Sequence, residues 1–436
     1  MSSFSYNLID EPWITCTSRD GTRSMGLREL LLSAHDLRGI ESPNPLFVAA
    51  LLRVLLALVH RIADGPRTGR DWRSLYTSKQ FSEESVNAYF QKLHDRFDLF
   101  SETQPFYQTT GLTLMDSKGN PLPVSVATLM VERASGNNKT IFDHTTDDAV
   151  VSLTPAEAAK VLITAQMFSL GGIYRKTTNL FGNFFRWENA VMVDGINVIL
   201  TGENLFETIM LNLLIYGDNE PIPNTIDDCP VWERNSIGKA IGSRNEAIPP
   251  KGYLDYLTCK CRHILLIPKL KDGGVVIENI HAAPGELFVS VQNPGFITKE
   301  NKKGVPYHPQ LDVTRLVWRD SLALFAFDDD VDNRPKAFRQ AMVMHREISL
   351  SSRYQCMVIA LANEDANPLA WRKELLSIPL ALLENKATIQ LLKAGMSRAE
   401  DVEFILKCAV KTFMRYALPA NSKDVDVKAE ATGARR

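Results

Sequence analysis

Acidic side chains cluster in one stretch whose composition would suit metal chemistry. Asp328, Asp329 and Asp330 are consecutive in FAFDDDVDNRP, and carboxylates this close together can bind a divalent metal. The stretch lacks the glycine and the closing glutamate of an EF-hand loop, so a solvated acidic turn is the favoured interpretation. Together with His345, the three aspartates define an alternative hypothesis, a metal-dependent phosphodiesterase or nuclease.

A second stretch, TCKCRH, places Cys259, Cys261 and His263 at alternate positions. A structural zinc site normally needs a further pair of ligands, and no second cysteine pair occurs, so this is a weak zinc signal. The motifs of P-loop enzymes, zinc proteases, serine hydrolases and protein kinases do not occur. The sequence therefore predicts a protein that is not an enzyme and has no metal or cofactor.

The stretch SLGGIYRKTTNLFGNFF (residues 169–185) resembles a phosphate-binding loop at first sight. Its glycines, Gly171 and Gly172, follow a predicted helix, whereas a nucleotide-binding loop follows a strand and opens a helix. Without Cβ atoms, however, the backbone at these glycines can approach a phosphate or a groove floor closely. Arg175 and Lys176 would add positive charge beside them, which favours a loop that touches nucleic acid.

Three further polar stretches could belong to the same surface. They are GNNKTIFDHTTDD (136–148), TKENKKG (298–304) and NEDANP (363–368). Each alone is typical of a solvated loop, but together they could contact a phosphate backbone and one groove. The chain has 49 basic and 51 acidic residues, so any anion-binding surface must be a local patch.

Elements in the first half of the chain must position these loops. The pattern predicts a β-hairpin around SRDGTR (18–23), a helix over 26–37 and an amphipathic helix over 89–100. It also predicts an apolar helix over 45–63, capped by Asn44 and Pro45. Arg53 and His60 interrupt that run, which indicates a buried helix rather than a membrane span. A helix beginning near Thr154 leads into the two glycines.

The second half is predicted to be less regular. Residues 192–330 contain short strands (INVIL, HILLIP, GVVIENI, LFVSV) and the helical NLFETIMLNLLIY, without regular alternation. From about residue 333 the pattern becomes mostly helical and ends in two amphipathic helices. We predict an α+β fold with an irregular mixed N-terminal domain (1–368), a C-terminal helical segment (369–420) and a polar tail (421–436). The N-terminus lacks signal-peptide features and the six cysteines are scattered, so we expect a cytoplasmic protein.

The order of several segments resembles the CasA family, the large subunit of the type I-E CRISPR surveillance complex, Cascade. The segments are FSYNLIDEPWITC, PNPLFVAALLRVLLALVH, TQPFYQT, NNKTIFDHT, GYLDYLT, VWRD and NEDANPLAWRKE, and they span about residues 5–375. The resemblance implies a non-catalytic, α+β protein that recognises the protospacer-adjacent motif (PAM) in duplex DNA. It would promote local unwinding and R-loop formation and dock the effector helicase-nuclease, while base pairing to guide RNA reads the target. Its partners would be target DNA, the 5′ handle of the CRISPR RNA and other Cascade subunits.

The family's contact elements map onto this chain through the matching stretches. The loop touching the RNA 5′ handle and neighbouring subunits corresponds to 138–148, with Asn138, Lys139, Phe142, Asp143 and His144. The glycine loop against the PAM minor groove corresponds to Gly171 and Gly172. The lysine finger, which enters that groove, corresponds to Lys299, Lys302 or Lys303.

The chain departs from the family pattern at the wedge that splits the first base pair. The wedge corresponds to Asn363, Glu364, Asp365, Ala366 and Asn367, where family members can carry a glutamine. A carboxylate at Asp365 is unfavourable near phosphates, so Asn367 could supply the hydrogen bonds instead.

The second departure concerns the C-terminal end of the chain. The family ends in a four-helix bundle, whereas 64 residues follow Arg372 here, room for about two helices. The bundle is therefore expected to be shortened, completed by another subunit, or truncated. A scaffold without any DNA contact is a third hypothesis.

Overall fold

The computed structural model describes residues 4–132, 150–217, 220–289, 293–301, 303–313, 334–347, 354–364, 367–378 and 386–417. Within these ranges the α-helices are α1 (Leu27–Leu32), α2 (Pro45–Ile62), α3 (Gly69–Thr77), α4 (Glu83–Leu93), α5 (Pro155–Phe168), α6 (Leu205–Asn212), α7 (Tyr253–Leu257), α8 (Lys336–Glu347) and α9 (Lys386–Ala417). Short 3₁₀ turns occupy His94–Phe97, Val126–Leu129, Val231–Glu233 and Arg244–Glu246.

The strands form small antiparallel sheets. They are β1 (Ile14–Thr17), β2 (Thr22–Met25), β3 (Gly39–Ile40), β4 (Leu114–Met115), β5 (Val124–Ser125), β6 (Gly172–Thr178), β7 (Gly182–Trp187), β8 (Asn197–Thr201), β9 (Arg262–Lys271), β10 (Gly274–Pro284), β11 (Lys299–Glu300), β12 (Pro306–Tyr307), β13 (Tyr354–Glu364) and β14 (Asn367–Ile378). The strand orders are β2-β1-β3, β4-β6-β7, β5-β10-β9, β11-β12 and β14-β13-β8. Helices and strands mix without a repeating unit, so the predicted α+β class is confirmed.

The core is built around α2. Every residue of this helix from Pro45 to His60 is buried, and the helix packs against α4, α5, α6, α7 and β13. Asn44 accepts a hydrogen bond from the Leu46 N–H and Pro45 occupies the first turn, as predicted. The length and composition of α2 would also suit a membrane span, but protein covers its surface. The prediction of a buried helix is confirmed.

Arg53 interrupts the apolar run of α2 because it serves a neighbouring helix. Its guanidinium donates hydrogen bonds to the carbonyl oxygens of Tyr256 and Leu257, at the C-terminal end of α7, and lies 4.9 Å from the Tyr256 ring centroid. Carbonyl groups at a helix end lack partners within the helix, and a buried cation supplies them here. The arginine therefore joins two core helices.

Several predicted elements differ from the structure in extent. The first helix covers Leu27–Leu32 instead of 26–37, and the helix predicted over 89–100 is α4, Glu83–Leu93, followed by a 3₁₀ turn. The strand prediction for LFVSV is wrong in its described part, because Phe288 makes only an isolated bridge with Ile248. The SRDGTR hairpin and the strands β8, β9 and β10 are confirmed.

The prediction that the chain is mostly helical after residue 333 is confirmed for the described residues, where α8 has 12 residues and α9 has 32, but two strands were missed. Strands β13 and β14 form a long antiparallel hairpin there, and β13 also pairs with β8. Strand β14 spans residues 368 and 369, and the last described helix starts at Lys386, while the division into domains at 368/369 stays a prediction. The two predicted C-terminal helices are one continuous helix, α9.

Candidate nucleic-acid interface

The segment with the two glycines opens a β-hairpin rather than a free loop. Helix α5 ends at Phe168, and β6 begins at Gly172 and pairs with β7. We call the unit from Gly172 to Trp187 the glycine hairpin. The pairing is interrupted by a bulge between Ile173 and Lys176, and bulges re-aim side chains next to functional sites. Gly172, Arg175 and Lys176 thus lie on a strand, where the sequence predicted an irregular loop.

Gly171 lacks a side chain for a reason internal to the protein. A Cβ atom there would lie 2.9 Å from the backbone nitrogen of Asn189 and 3.0 Å from the carbonyl carbon of Glu188. Its N–H donates to the Asn189 Oδ1 at 2.7 Å and is therefore already satisfied. The backbone on both sides of the glycine hairpin is in close contact, so this glycine is required for the fold whatever it touches outside.

The buried Arg262 connects the two ends of the glycine hairpin. Its Nη2 donates to the carbonyl oxygens of Leu170 at 3.1 Å and Glu188 at 2.6 Å, and its guanidinium lies 4.6 Å from the Trp187 ring centroid. Trp187 in turn stacks on Tyr174 at 3.9 Å between ring centroids. Burial lowers the pKa of Arg262 to about 10, so the group remains charged at neutral pH. The inner face of the hairpin is thereby fixed to β9.

The glycine hairpin carries a cation over an exposed aromatic ring. The Arg175 guanidinium carbon lies 4.9 Å from the ring centroid of Phe185, which is 58% exposed. Within the ranges that the structure describes, neither Arg175 nor Lys176 pairs with a carboxylate. By contrast, Arg186 forms an ion pair with Glu188 at 3.0 Å. Of the three cations Arg175, Lys176 and Arg186 in the glycine hairpin, the two predicted ones are therefore available to bind an external anion.

The predicted lysine finger lies on a short turn, residues 299–307, which we call the lysine turn. Strands β11 and β12 pair across it, and the Asn301 Oδ1 accepts from the backbone N–H groups of Lys303 at 2.8 Å and Val305 at 3.1 Å. Lys303 is exposed and Lys299 is half-buried. Phe296, three residues before the turn, has its ring in the space that a Cβ on Gly195 would need.

The described residues of the predicted wedge, Asn363, Glu364 and Asn367, lie at the paired ends of strands β13 and β14, which we call the wedge hairpin. Glu364 pairs with Asn367 and Asn363 with Pro368, beyond a bulge at Ala362. Glu364 is exposed, whereas Asn363 and Asn367 are half-buried. The opposite part of β13, from Cys356 to Ala362, is buried. Asn363 and Glu364 therefore lie at the end of a strand whose preceding residues are packed in the core.

Comparison with known proteins then bears on identity. The family model of the CRISPR-associated protein Cse1 matches residues 7–435. The chain belongs to the Cse1 family. A curated relative, CasA/Cse1 of Thermus thermophilus, is 32% identical over 404 residues, which are 91% of this chain and 75% of the relative. The resemblance to the large subunit of type I-E Cascade is therefore confirmed.

Solved structures of Cse1 proteins share the fold. The crystal structure of a Thermus thermophilus CasA matches with a TM-score of 0.79 and 25% identity, over 99% of this chain and 84% of that one. A chain from a structure described as a CRISPR RNA-guided surveillance complex matches with a TM-score of 0.79 and 20% identity, over 95% of this chain and 85% of that one. At that identity the second match concerns the fold alone.

Part of the predicted Cse1-type surface falls outside the described residues. These residues are Asn138, Lys139, Phe142, Asp143 and His144 of the handle loop, Lys302 of the lysine turn, and Asp365 and Ala366 of the wedge. The acidic stretch Asp328–Asp330 of the nuclease hypothesis also lies outside them, and its partner His345 is half-buried on α8. The described parts of the glycine hairpin, lysine turn and wedge hairpin therefore carry the structural account.

The cysteine and histidine stretch has a structural explanation in this Cse1 fold. The Cys259 and Cys261 sulfurs lie 3.3 Å apart in the core, and His263 shares hydrogen bonds with the Thr109 hydroxyl and the Lys239 carbonyl. Both ring nitrogens of His263 are thus occupied by protein groups. Among the described residues no cluster of three or more His, Cys, Asp or Glu has metal-site geometry.

Two residues of the glycine hairpin region were missed by sequence reasoning. Arg262 follows a cysteine in TCKCRH, and no local pattern reveals that its acceptors are the carbonyl groups of residues 169, 170 and 188. Phe185 lies in FGNFFRW, where aromatic residues and an arginine follow a glycine turn. Aromatic residues interleaved with cations are a signal for nucleic-acid contact that could have identified Phe185.

Proposed function

We propose that this Cse1-family chain is the non-catalytic, DNA-interrogating large subunit of a type I-E Cascade complex in the cytoplasm. It recognises the PAM in duplex DNA, promotes local unwinding and R-loop formation, and docks the effector helicase-nuclease. Its handle loop contacts the CRISPR RNA 5′ handle and neighbouring Cascade subunits. The family match along residues 7–435 carries the proposal.

The arrangement of the three surface elements supports this role. Each element is a β-hairpin or tight turn that emerges from packed structure, and each presents predicted contact residues at exposed or half-exposed positions. Rigid turns suit groove recognition because little ordering entropy is lost when DNA binds. Minor-groove contacts distinguish base pairs only coarsely, which suits a protein that tolerates several related PAMs.

The charge balance indicates that the chain acts within a complex. A net charge of −2 provides no overall attraction to DNA, and phosphate contacts supply most non-specific affinity. We expect the isolated chain to bind duplex DNA weakly in gel shifts and to lose that binding steeply as salt increases. Tight, salt-insensitive binding by the isolated chain would contradict the proposal.

A randomised-PAM binding assay on the reconstituted complex tests the recognition step. Wild type is compared with Asp365→Gln, which removes the wedge carboxylate and adds an amide, and with Asp365→Ala. We expect both variants to change the set of bound PAM sequences, because the carboxylate repels phosphates and acceptor groups nearby. Asp272→Asn, an acidic residue in the β9–β10 turn, is the matched control.

The outcomes of this assay separate two claims. Unaltered profiles for both Asp365 variants would remove Asp365 from the wedge role and leave PAM recognition with other residues. A wild-type complex that binds all sequences of the randomised pool equally would overturn the proposed function itself. A changed profile in Asp272→Asn would mean that the assay reports surface charge rather than contact at the wedge.

A further inference from the structure

Phe185 is an unusual residue to leave in water. It lies on β7 of the glycine hairpin and is 58% exposed, whereas its neighbour Trp187 is half-buried and contacts Tyr174 and Arg262. A single exposed apolar residue needs no explanation. Phe185, however, has the Arg175 cation above its ring, and an aromatic ring next to a cation is the usual composition of a surface that stacks nucleobases.

Arg175 occupies a position that leaves its hydrogen-bonding groups available. Its guanidinium lies 4.9 Å from the Phe185 ring centroid, and within the described residues it makes no ion pair. A guanidinium over an aromatic ring still directs its N–H groups outward in the guanidinium plane, where two of them can bind one phosphate. Lys176, one residue further along β6, offers a second phosphate contact.

The hairpin is held rigidly enough to present this pair. Tyr174 donates from its hydroxyl to the Ala282 carbonyl oxygen at 2.7 Å, and Arg262 binds the carbonyl groups at both ends of the hairpin. The β-bulge between Ile173 and Lys176 lies directly opposite Phe185. A bulge of this kind turns the side chains of the longer strand, here including Arg175, out of the regular alternation.

We propose that Phe185 is a stacking site for an unpaired base of the displaced DNA strand, with Arg175 and Lys176 binding the adjoining phosphates. The inference rests on the proposed function, because opening the duplex beside the PAM is what creates unpaired bases. Paired bases inside a duplex are stacked on their neighbours, so an aromatic side chain can use only bases that have been separated. The Arg175 cation over the ring, which has no carboxylate partner among the described residues, favours a nucleic-acid strand over an apolar protein surface.

Photo-crosslinking of the reconstituted complex tests the contact directly. The target duplex carries 5-iododeoxyuridine at successive positions of the displaced strand next to the PAM, and crosslinked peptides are located by mass spectrometry. We expect a crosslink at Phe185 from one or two neighbouring positions. Phe185→Tyr should retain the crosslink, whereas Phe185→Ala should abolish it.

Equilibrium binding gives the size of the effect. For a target whose PAM-proximal base pairs are mismatched and already open, Phe185→Ala should weaken binding by about 5- to 150-fold, the range for removing one stacked base. Phe185→Tyr should bind within about twofold of wild type, because a tyrosine ring stacks as well. Leu270→Ala, which removes an equally exposed apolar residue on β9, is the matched control and should have no effect.

Each contrary outcome has a distinct meaning. If the complex opens the target, as shown by permanganate reactivity of thymines, but Phe185 forms no crosslink, the stacking proposal is overturned and the proposed function stands. If the complex neither binds nor opens a PAM-bearing duplex, the proposed function fails. If Phe185→Ala no longer enters the complex while Phe185→Tyr does, Phe185 is a protein contact and the proposal is wrong.

Discussion

The glycine hairpin and the lysine turn both carry predicted DNA contacts, yet different interactions hold them. The glycine hairpin is fixed from inside, through buried Arg262 and the stacked Tyr174 and Trp187. The lysine turn has strands of two residues each, and the Asn301 side chain closes it by accepting two backbone N–H groups. One element depends on the core and the other depends on its own local hydrogen bonds.

This difference determines which mutations can move each element. A change in the core under the glycine hairpin should cost global stability and displace the hairpin together. A change in the lysine turn should alter only the turn, because its closing bonds are exposed and local. Substitutions in the two places therefore separate a loss of DNA contact caused by misfolding from one caused by local disorder.

The largest expected effect is at Arg262. Arg262→Met should lower the free energy of unfolding by about 3 kcal/mol, because it leaves several buried carbonyl groups without a donor. Arg262→Lys should recover only part of the loss, since an ammonium cannot reach acceptors spread across a planar guanidinium. Urea denaturation of the isolated chain gives these values.

Arg244→Met is the control for Arg262. Arg244 binds the carboxylate of Glu188, whose carbonyl group Arg262 binds, but its side chain is 67% exposed. An exposed ion pair contributes little, so we expect a change within about 0.5 kcal/mol. Equal losses at Arg244 and Arg262 would show that the carbonyl contacts under the glycine hairpin are not what stabilises it.

The next effect depends on pH and concerns His263. Its ring stacks on Phe181 in the turn of the glycine hairpin, with 4.4 Å between ring centroids. Burial, with a smaller contribution from the Lys260 charge, lowers the pKa of His263 from 6.5 to about 3. Between pH 6.5 and pH 3, His263 is therefore protonated in the unfolded chain and neutral in the folded chain. Stability from this group is complete above pH 6.5 and is lost as the pH falls toward 3.

His263→Gln measures that contribution. Between pH 7.5 and pH 5, protonation of His263 in the unfolded chain should lower the free energy of unfolding of the wild type by about 2 kcal/mol. The free energy of unfolding of the wild type minus that of the variant should decrease by the same amount. His60, whose pKa burial also lowers to about 3, is present in both proteins and cancels. A difference that stays constant between these pH values would refute the assignment.

The elements with local signals were predictable from sequence. Helix α5 begins with Thr154, Pro155 and Glu157, and the Thr154 and Glu157 side chains form the expected capping box. Helix α2 likewise follows its Asn44–Pro45 start. Such starts are encoded by three or four neighbouring residues, so one sequence suffices to find them.

The elements that depend on distant partners were not predictable in the same way. GGIYRKTT looked like a loop, and it is a strand because NFFRW pairs with it ten residues later. Strand β13 was missed because its partners are β14 and the distant β8. The predicted break in the C-terminal helix is absent, since Gly395 lies inside α9 and a single glycine weakens a helix without ending it.

The sequence proposed the site by type of residue more than by geometry, and the site stays a prediction. Exposed cations such as Arg175 and Lys303 were identified because charge is visible in the sequence. The packing reason for Gly171 and the support from Arg262 were hidden, since both depend on backbone atoms far along the chain. Close packing against Asn189 would require a glycine at position 171, and close contact with DNA would require one as well. The sequence alone therefore cannot distinguish the two reasons.

The smallest expected effect, at Asn301, is also the most specific for the lysine turn. Asn301→Ala removes the acceptor for the Lys303 and Val305 N–H groups. Because the turn is exposed, water can accept these hydrogen bonds instead, and the free energy of unfolding should change by less than about 0.5 kcal/mol. Lys303 must then be ordered by the DNA, at a cost of about 1 kcal/mol, which corresponds to roughly fivefold weaker binding of a PAM-bearing duplex by the reconstituted complex. Asn301→Ser, whose hydroxyl closes such turns more weakly, should bind the duplex with an affinity between those of wild type and Asn301→Ala. If Asn301→Ala binds like wild type while Lys303→Ala does not, Lys303 acts as a mobile charge, and the turn that presents it contributes nothing to recognition.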